Sequence, residues 1–189
     1  MDLRNHRRLQ AVLIVAIFLS PVLVVLGLML TGWVPHSHSY GERIQPERDL
    51  ASVPVQRADG KSFAFRDHDA KWTLVALPGP DCAERCLRQL DLVHRARISL
   101  GRHADKLRLL YLGTTPAAFG TDSPRAAARA FAAAWTLATT SSHALDDLRA
   151  RARDSVSVVL VTPDGEALTR YTANFDADGL RQDLKKAVH

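Results

Sequence analysis

The chain has 189 residues, with 25 lysines and arginines against 20 aspartates and glutamates, a net charge of +5 and two cysteines. The basic residues are scattered among acidic ones, which excludes the dense basic face that nucleic-acid binding needs. Two cysteines likewise exclude the cysteine-dense scaffold of small secreted domains, so a close pair is a redox couple, a metal clamp or a local staple.

Residues 1–8 carry Arg4, Arg7 and Arg8, whereas residues 9–35 hold no charged side chain and are rich in Leu, Val and Ile. A run of this kind is expected to form one transmembrane anchor, for which about 20 apolar residues suffice. It outlasts the apolar region of a cleaved signal, which is about 7 to 15 residues long. Pro21 is tolerable mid-span, and Trp33 and Tyr40 suit the far interface. The arginines before the span, set against the nearly neutral His36-Ser37-His38-Ser39 after it, place the N-terminus in the cytoplasm. Everything beyond about residue 36 then faces the periplasm of a bacterial inner membrane. Residues 36–52, with Pro46 and mixed charge, read as a linker. Residues 53–189 are of a size for one domain with its own core.

Within that domain, Val53-Pro54-Val55-Gln56-Arg57 and Ser62-Phe63-Ala64-Phe65-Arg66 flank Asp59-Gly60, a hairpin signal. Residues 72–77 are apolar on both faces, as a central strand is. The loop Pro78-Gly79-Pro80 follows. From Cys82 to about Leu100, the residues Cys86, Leu90, Val93 and Leu100 recur at helical spacing, and Asp81 is placed to cap the helix. Residues 106–113 form a second buried strand. Thr121-Asp122-Ser123-Pro124 supplies a cap and a proline for an alanine-rich helix reaching about Trp135. A short helix is expected over 144–152. A second hairpin is expected over 156–171, turning at Pro163-Asp164-Gly165, and a last helix over 176–188. This order describes an α/β mixed sheet flanked by helices.

The chemistry is concentrated at Cys82 and Cys86, spaced CxxxC at the rim of the domain, directly after the central strand. A thiol at a helix N-terminus faces unpaired N–H groups and the positive end of the macrodipole, so its thiolate is favoured. Cys82 is therefore the expected nucleophile, and Cys86, on the packed face, the resolving thiol. A disulfide across so small a loop gains little chain entropy, which favours reactivity over a purely structural staple. Two thiolates also suit Cu(I), but a third ligand is then wanted. Met1 and Met29 both belong to the N-terminal anchor segment, which leaves His68, His94, His103 and His143 in the domain and His36 and His38 beside the membrane. Each reads first as a surface histidine; His143 lies in a loop region that can approach the active loop.

These features resemble the Sco/SenC family of membrane-anchored thioredoxin-like proteins, which help build the copper site of cytochrome c oxidase. The matching residues are the hairpin Arg57-Ala58-Asp59-Gly60-Lys61-Ser62-Phe63, the strand Lys71-Trp72-Thr73-Leu74-Val75, the Cys82/Cys86 pair and Val159-Leu160-Val161-Thr162-Pro163-Asp164-Gly165. The chain is also similar to small proteobacterial membrane proteins associated with oxidase assembly, which share the Tyr40-Gly41-Glu42 segment. The resemblance implies a thioredoxin-like fold behind one transmembrane helix. It implies Cys82 and Cys86 as redox or Cu(I)-binding residues, and cytochrome c oxidase subunit II or another assembly factor as partner. Two departures stand out. Leu87 follows Cys86 where the Sco pattern has proline, and Asp154 stands where Sco proteins place their copper-binding histidine. A carboxylate is a hard ligand, poorly matched to Cu(I), and the thioredoxin cis-proline has no counterpart. Thiol–disulfide exchange is thus the leading expectation, with a Cu(I) chaperone and an interaction module without chemistry as alternatives.

Overall fold

A computed structural model of the chain describes residues 13–14, 16–22, 26–27, 39–66, 68–116 and 124–188. The chain divides into two compact units, residues 1–38 and 39–189. The first contains most of the expected anchor, which lies largely outside the described residues; its described residues 16–22 are helical. Among the described residues, no helix is long and apolar enough to cross a membrane.

The second unit is built on one eight-stranded sheet. Its strands are β1 (Glu42–Asp49), β2 (Val55–Arg57), β3 (Ser62–Phe63), β4 (Trp72–Pro78), β5 (Leu107–Leu112), β6 (Thr136–Thr140), β7 (Val156–Val161) and β8 (Glu166–Tyr171). They lie in the order β1-β8-β7-β4-β5-β6-β2-β3. β4, β5 and β6 run parallel and the other pairings are antiparallel. Central position explains composition: β4 and β7 have sheet neighbours on both edges and are apolar on both faces. Alternate residues then serve two cores. Leu74 and Ala76 face a cluster with Leu109, Tyr111, Val158 and Leu160, while Val75 and Leu77 face one with Leu110, Leu112, Val159 and Val161.

Three α-helices are described in this unit: α1 (Glu84–Ile98), α2 (Pro124–Ala134) and α3 (Ala177–Ala187). α1 brings Cys86, Leu90 and Val93 to the first cluster, and α3 adds Leu180 and Leu184. Burying a leucine of this kind stabilises by about 1.5–3 kcal/mol. Phe131 of α2 stacks on Trp135 and meets the Tyr111 ring edge to face. The second cluster is closed by Leu50, Val53, Phe65, Leu145 and Leu148 from loops and short turns.

The two expected hairpins are present as β2–β3 and β7–β8. Other segments differ from expectation. Residues 42–49, inside the expected linker, form edge strand β1, and Pro46 falls where its pairing with β8 shifts register between Arg43 and Arg48. Proline is tolerated at such an edge irregularity because no ladder bond is lost there. Residues 136–140 form β6, which pairs with β5 and β2. The helix expected over 144–152 shrinks to a single 3-10 turn, Asp146–Leu148; Leu145 and Leu148 mimic a helical stripe but plug the second core. The proposed cap residues 121–123 lie outside the described residues.

The beginning of this unit is fastened to its end. One oxygen of the buried Asp183 carboxylate, on α3, accepts from Ser39 Oγ at 3.1 Å, Tyr40 N at 2.8 Å, Gly41 N at 3.2 Å and Tyr171 Oη at 3.1 Å. Tyr40 lies so close to Gly179 that a Cβ there would fall 2.5 Å from the Tyr40 Cγ.

Candidate redox site

β4 leaves the core at Pro78 and the chain turns through Gly79-Pro80-Asp81 to Cys82. α1 begins at Glu84, two residues later than expected from the sequence, so Cys82 precedes the helix and Cys86 sits in its first turn. The two sulfurs are joined in a disulfide, with Cα atoms 5.1 Å apart, inside the ordinary range for such a bond. Cys86 is fully buried in the first core cluster; Cys82 is partly buried and packs against it. The rim position expected for the pair therefore holds for Cys82 alone. An incoming thiolate has Cys82 Sγ as its target.

The N-terminus of α1 is capped from far along the chain. Ala83, at the cap position, makes no side-chain capping bond, and Asp81 does not cap the helix as expected. Asp154 takes that role instead: one carboxylate oxygen accepts from Ala83 N at 2.8 Å and Cys86 N at 2.9 Å, the other from Arg85 N at 3.0 Å. Asp81 in turn accepts from the Asp154 N–H at 2.6 Å and lies 3.6 Å from Arg153 Nε. Asp154 has a φ of +47°, in the left-handed region that aspartate tolerates better than most residues. Burial opposes its ionisation, but hydrogen bonds from the Cys86, Arg85 and Ala83 amides, with the charge of Arg88, hold its carboxyl below the usual carboxylate range.

Asp154 is held in place by a loop stitched to the end of β4. Gly79 N donates to Ser155 O at 2.9 Å, Ser155 Oγ donates to Ala152 O at 2.6 Å, and Arg149 reaches Pro78 O and Leu112 O. Gly79 is essential to the approach, since a Cβ there would lie 2.3 Å from Ala152 O. Beside the helix, Arg85 donates to Asn174 Oδ1 at 2.5 Å and Arg88 pairs with Glu84. The sequence identified both cysteines and the strand–loop–helix that carries them, but not the cap. Aspartate is a strong N-cap type, yet this one stands 71 residues after Ala83, beyond any local pattern.

Among the described residues, no histidine is grouped with the sulfurs to hold a metal. His68 is exposed, His94 and His103 are half-buried on α1 and on the 3-10 helix Gly101–Lys106, and the exposed His143 pairs with Asp146 Oδ2 at 2.6 Å. His36 and His38 lie outside the described residues. Among the described residues, no three or more His, Cys, Asp or Glu side chains are grouped to hold a metal. The reduced pair would offer two soft donors, but both oxygens of Asp154 are engaged with backbone N–H groups. Among the described residues, this donor set stops at two sulfurs and does not complete a Cu(I) site.

Residues 72–188 match the family described as "transmembrane-like, thioredoxin-like, C-terminal domain". Among solved structures, copper-bound yeast Sco1 is similar at a TM-score of 0.52 and 16% identity, covering 80% of this chain and 93% of that one. Copper-bound ScoI of Arabidopsis thaliana gives 0.50 and 16%, covering 78% and 97%. BsSco, described as a Sco-family cytochrome c oxidase assembly protein with a disulfide switch, gives 0.50 and 18%, covering 77% and 97%. At such identities the likeness establishes the fold. No curated protein matches the sequence significantly. The fold, the cysteine pair and the match over 72–188 together make this chain a member of the transmembrane-like, thioredoxin-like C-terminal domain family, on a Sco-like scaffold.

Proposed function

We propose that this chain is a single-pass inner-membrane protein whose periplasmic thioredoxin-like domain reduces a partner disulfide during cytochrome c oxidase assembly. The observation that carries the chemistry is the Cys82–Cys86 bond, with Cys82 only partly buried and Cys86 in the core. The apolar run 9–35 and its arginine flank support the location. The Sco-like fold supports the pathway, with the copper-binding cysteines of oxidase subunit II as the partner.

In the reduced protein the Cys82 thiolate attacks one sulfur of the partner disulfide, forming a mixed disulfide and releasing the other partner sulfur as a thiolate. The Cys86 thiolate then attacks Cys82 Sγ, closing the intramolecular disulfide and releasing the second partner thiolate. Two electrons pass to the partner, the partner thiolates take up two protons from water, and an external dithiol protein resets the pair. Burial of Cys86 protects the resolving thiol from competing partners while leaving it within bonding reach of Cys82.

The test is trapping. A reduced Cys86→Ser full-length protein in detergent, mixed with an oxidised peptide carrying the subunit II cysteine pair, is expected to accumulate a mixed disulfide on Cys82. Reduced wild-type protein is expected to turn the peptide over to its dithiol. Absence of both products refutes the proposal. Stoichiometric retention of Cu(I) by the reduced wild-type protein against a competing chelator, lost on Cys82→Ser, would favour a copper carrier instead.

A further inference from the structure

The N–H groups at the head of α1 are the donors that a Cys82 thiolate would otherwise use, and Asp154 has already taken those of Ala83, Arg85 and Cys86. We propose that Asp154 is a positioning residue that holds the Cys82–Cys86 pair at a reducing poise, by filling the helix N-terminus with its own negative charge. This inference rests on the exchange reading above and gives its direction.

The helix end differs in charge between the two redox states of the pair. In the disulfide form the sulfurs are neutral, and the carboxylate enjoys the donors and the helix dipole alone. In the dithiol form, a thiolate at Cys82 must share the same helix end with that carboxylate, and two anions at one helix end repel. The carboxylate therefore penalises the thiolate and leaves the disulfide untouched. Stabilisation of the thiolate is what makes a thioredoxin-fold pair a strong oxidant, so its suppression makes this pair a reductant, as the proposed electron transfer to a partner requires.

The surrounding charges do not undo this. Glu84 of α1 is paired with Arg88, and Asp81 in the preceding loop has Arg153 3.6 Å away. Arg85 is hydrogen-bonded to Asn174. Of these, Arg88 acts on Asp154, but it favours the ionised carboxylate and so keeps the competing anion in place. The loop 149–155 fixes the carboxylate there through the bonds to Leu77, Pro78 and Gly79.

The experiment uses the full-length protein in detergent, equilibrated in glutathione redox buffers, with the dithiol fraction read by alkylation and mass spectrometry. The rate of iodoacetamide alkylation of the reduced protein is followed against pH in parallel. Asp154→Asn keeps the side-chain shape and removes the charge. It is expected to shift the equilibrium at least tenfold toward the dithiol, about 30 mV more oxidising, and to move the Cys82 alkylation midpoint to lower pH. A reversible wild-type couple with an unchanged constant and alkylation profile in Asp154→Asn overturns the inference and leaves the exchange reading standing. A wild-type alkylation midpoint below about pH 7, well under the free cysteine value of about 8.5, overturns it without any variant. A wild-type pair with no reversible couple at all removes both.

Discussion

Asp183→Ala removes one carboxylate that joins the first described residues of the folded unit to its last helix. Four donors lose their acceptor: Ser39 Oγ, the Tyr40 and Gly41 amides, and the Tyr171 hydroxyl. Their fates differ. Tyr171 is 2% exposed, so its hydroxyl is stranded away from water, a loss of about 1–3 kcal/mol. The Ser39, Tyr40 and Gly41 groups lie at the margin and can turn to solvent if the segment frays, at about 1 kcal/mol for the ordering bonds given up. The total is about 2–4 kcal/mol, a large part of a typical domain stability of about 5–15 kcal/mol. Thermal and urea unfolding of the full-length protein, followed by circular dichroism, measures it. Tyr171→Phe removes the stranded donor beforehand, so the carboxylate should matter less in that background, with a coupling of about 1–2 kcal/mol in the double-mutant cycle. A cost below about 0.5 kcal/mol for Asp183→Ala, or zero coupling to Tyr171, refutes the assignment of this carboxylate as the clasp.

Two further outcomes follow from burial. Burial pushes the Tyr111 phenol up to about 12, only partly offset by Arg149, and burial together with Asp183 raises Tyr171 as well. Groups whose folded pKa is raised stabilise the fold fully below the unfolded value near pH 10, and that contribution is lost as pH climbs through the folded value. Stability should therefore fall between about pH 10 and 12, and a Tyr111 phenolate detected by ultraviolet absorbance near pH 10 in still-folded protein contradicts this. In the first core, Leu90 is 1% exposed on the sulfur-bearing helix, so Leu90→Ala should cost about 2–5 kcal/mol. A cost under about 1 kcal/mol in urea unfolding would mean that α1 is not seated as described.

Local signals carried much of this architecture. The unbroken apolar run of β4, the Asp-Gly turn between β2 and β3 and the Pro-Asp-Gly turn between β7 and β8 each state their structure within a few residues. The stripe Cys86, Leu90 and Val93 did the same for α1. What escaped depends on neighbours. β6 reads Thr-Leu-Ala-Thr-Thr, too short and too polar to declare itself, and exists because β5 and β2 bracket it. β1 carries one buried residue, Ile44, and its strand character comes from pairing with β8. At the site, sequence located both sulfurs and marked Asp154 as unusual, but expected the helix donors to serve the thiolate. The carboxylate that occupies them arrives from a loop positioned only by the folded sheet.

Gly79 contributes no side chain, and that bareness lets the loop carrying Asp154 close on the end of β4. A single methyl group there would collide with the backbone carrying Ala152 and lever that loop outward, and Asp154 would travel with it. The cap on the sulfur-bearing helix would then be lost through bulk alone, with no charged or sulfur-containing residue altered.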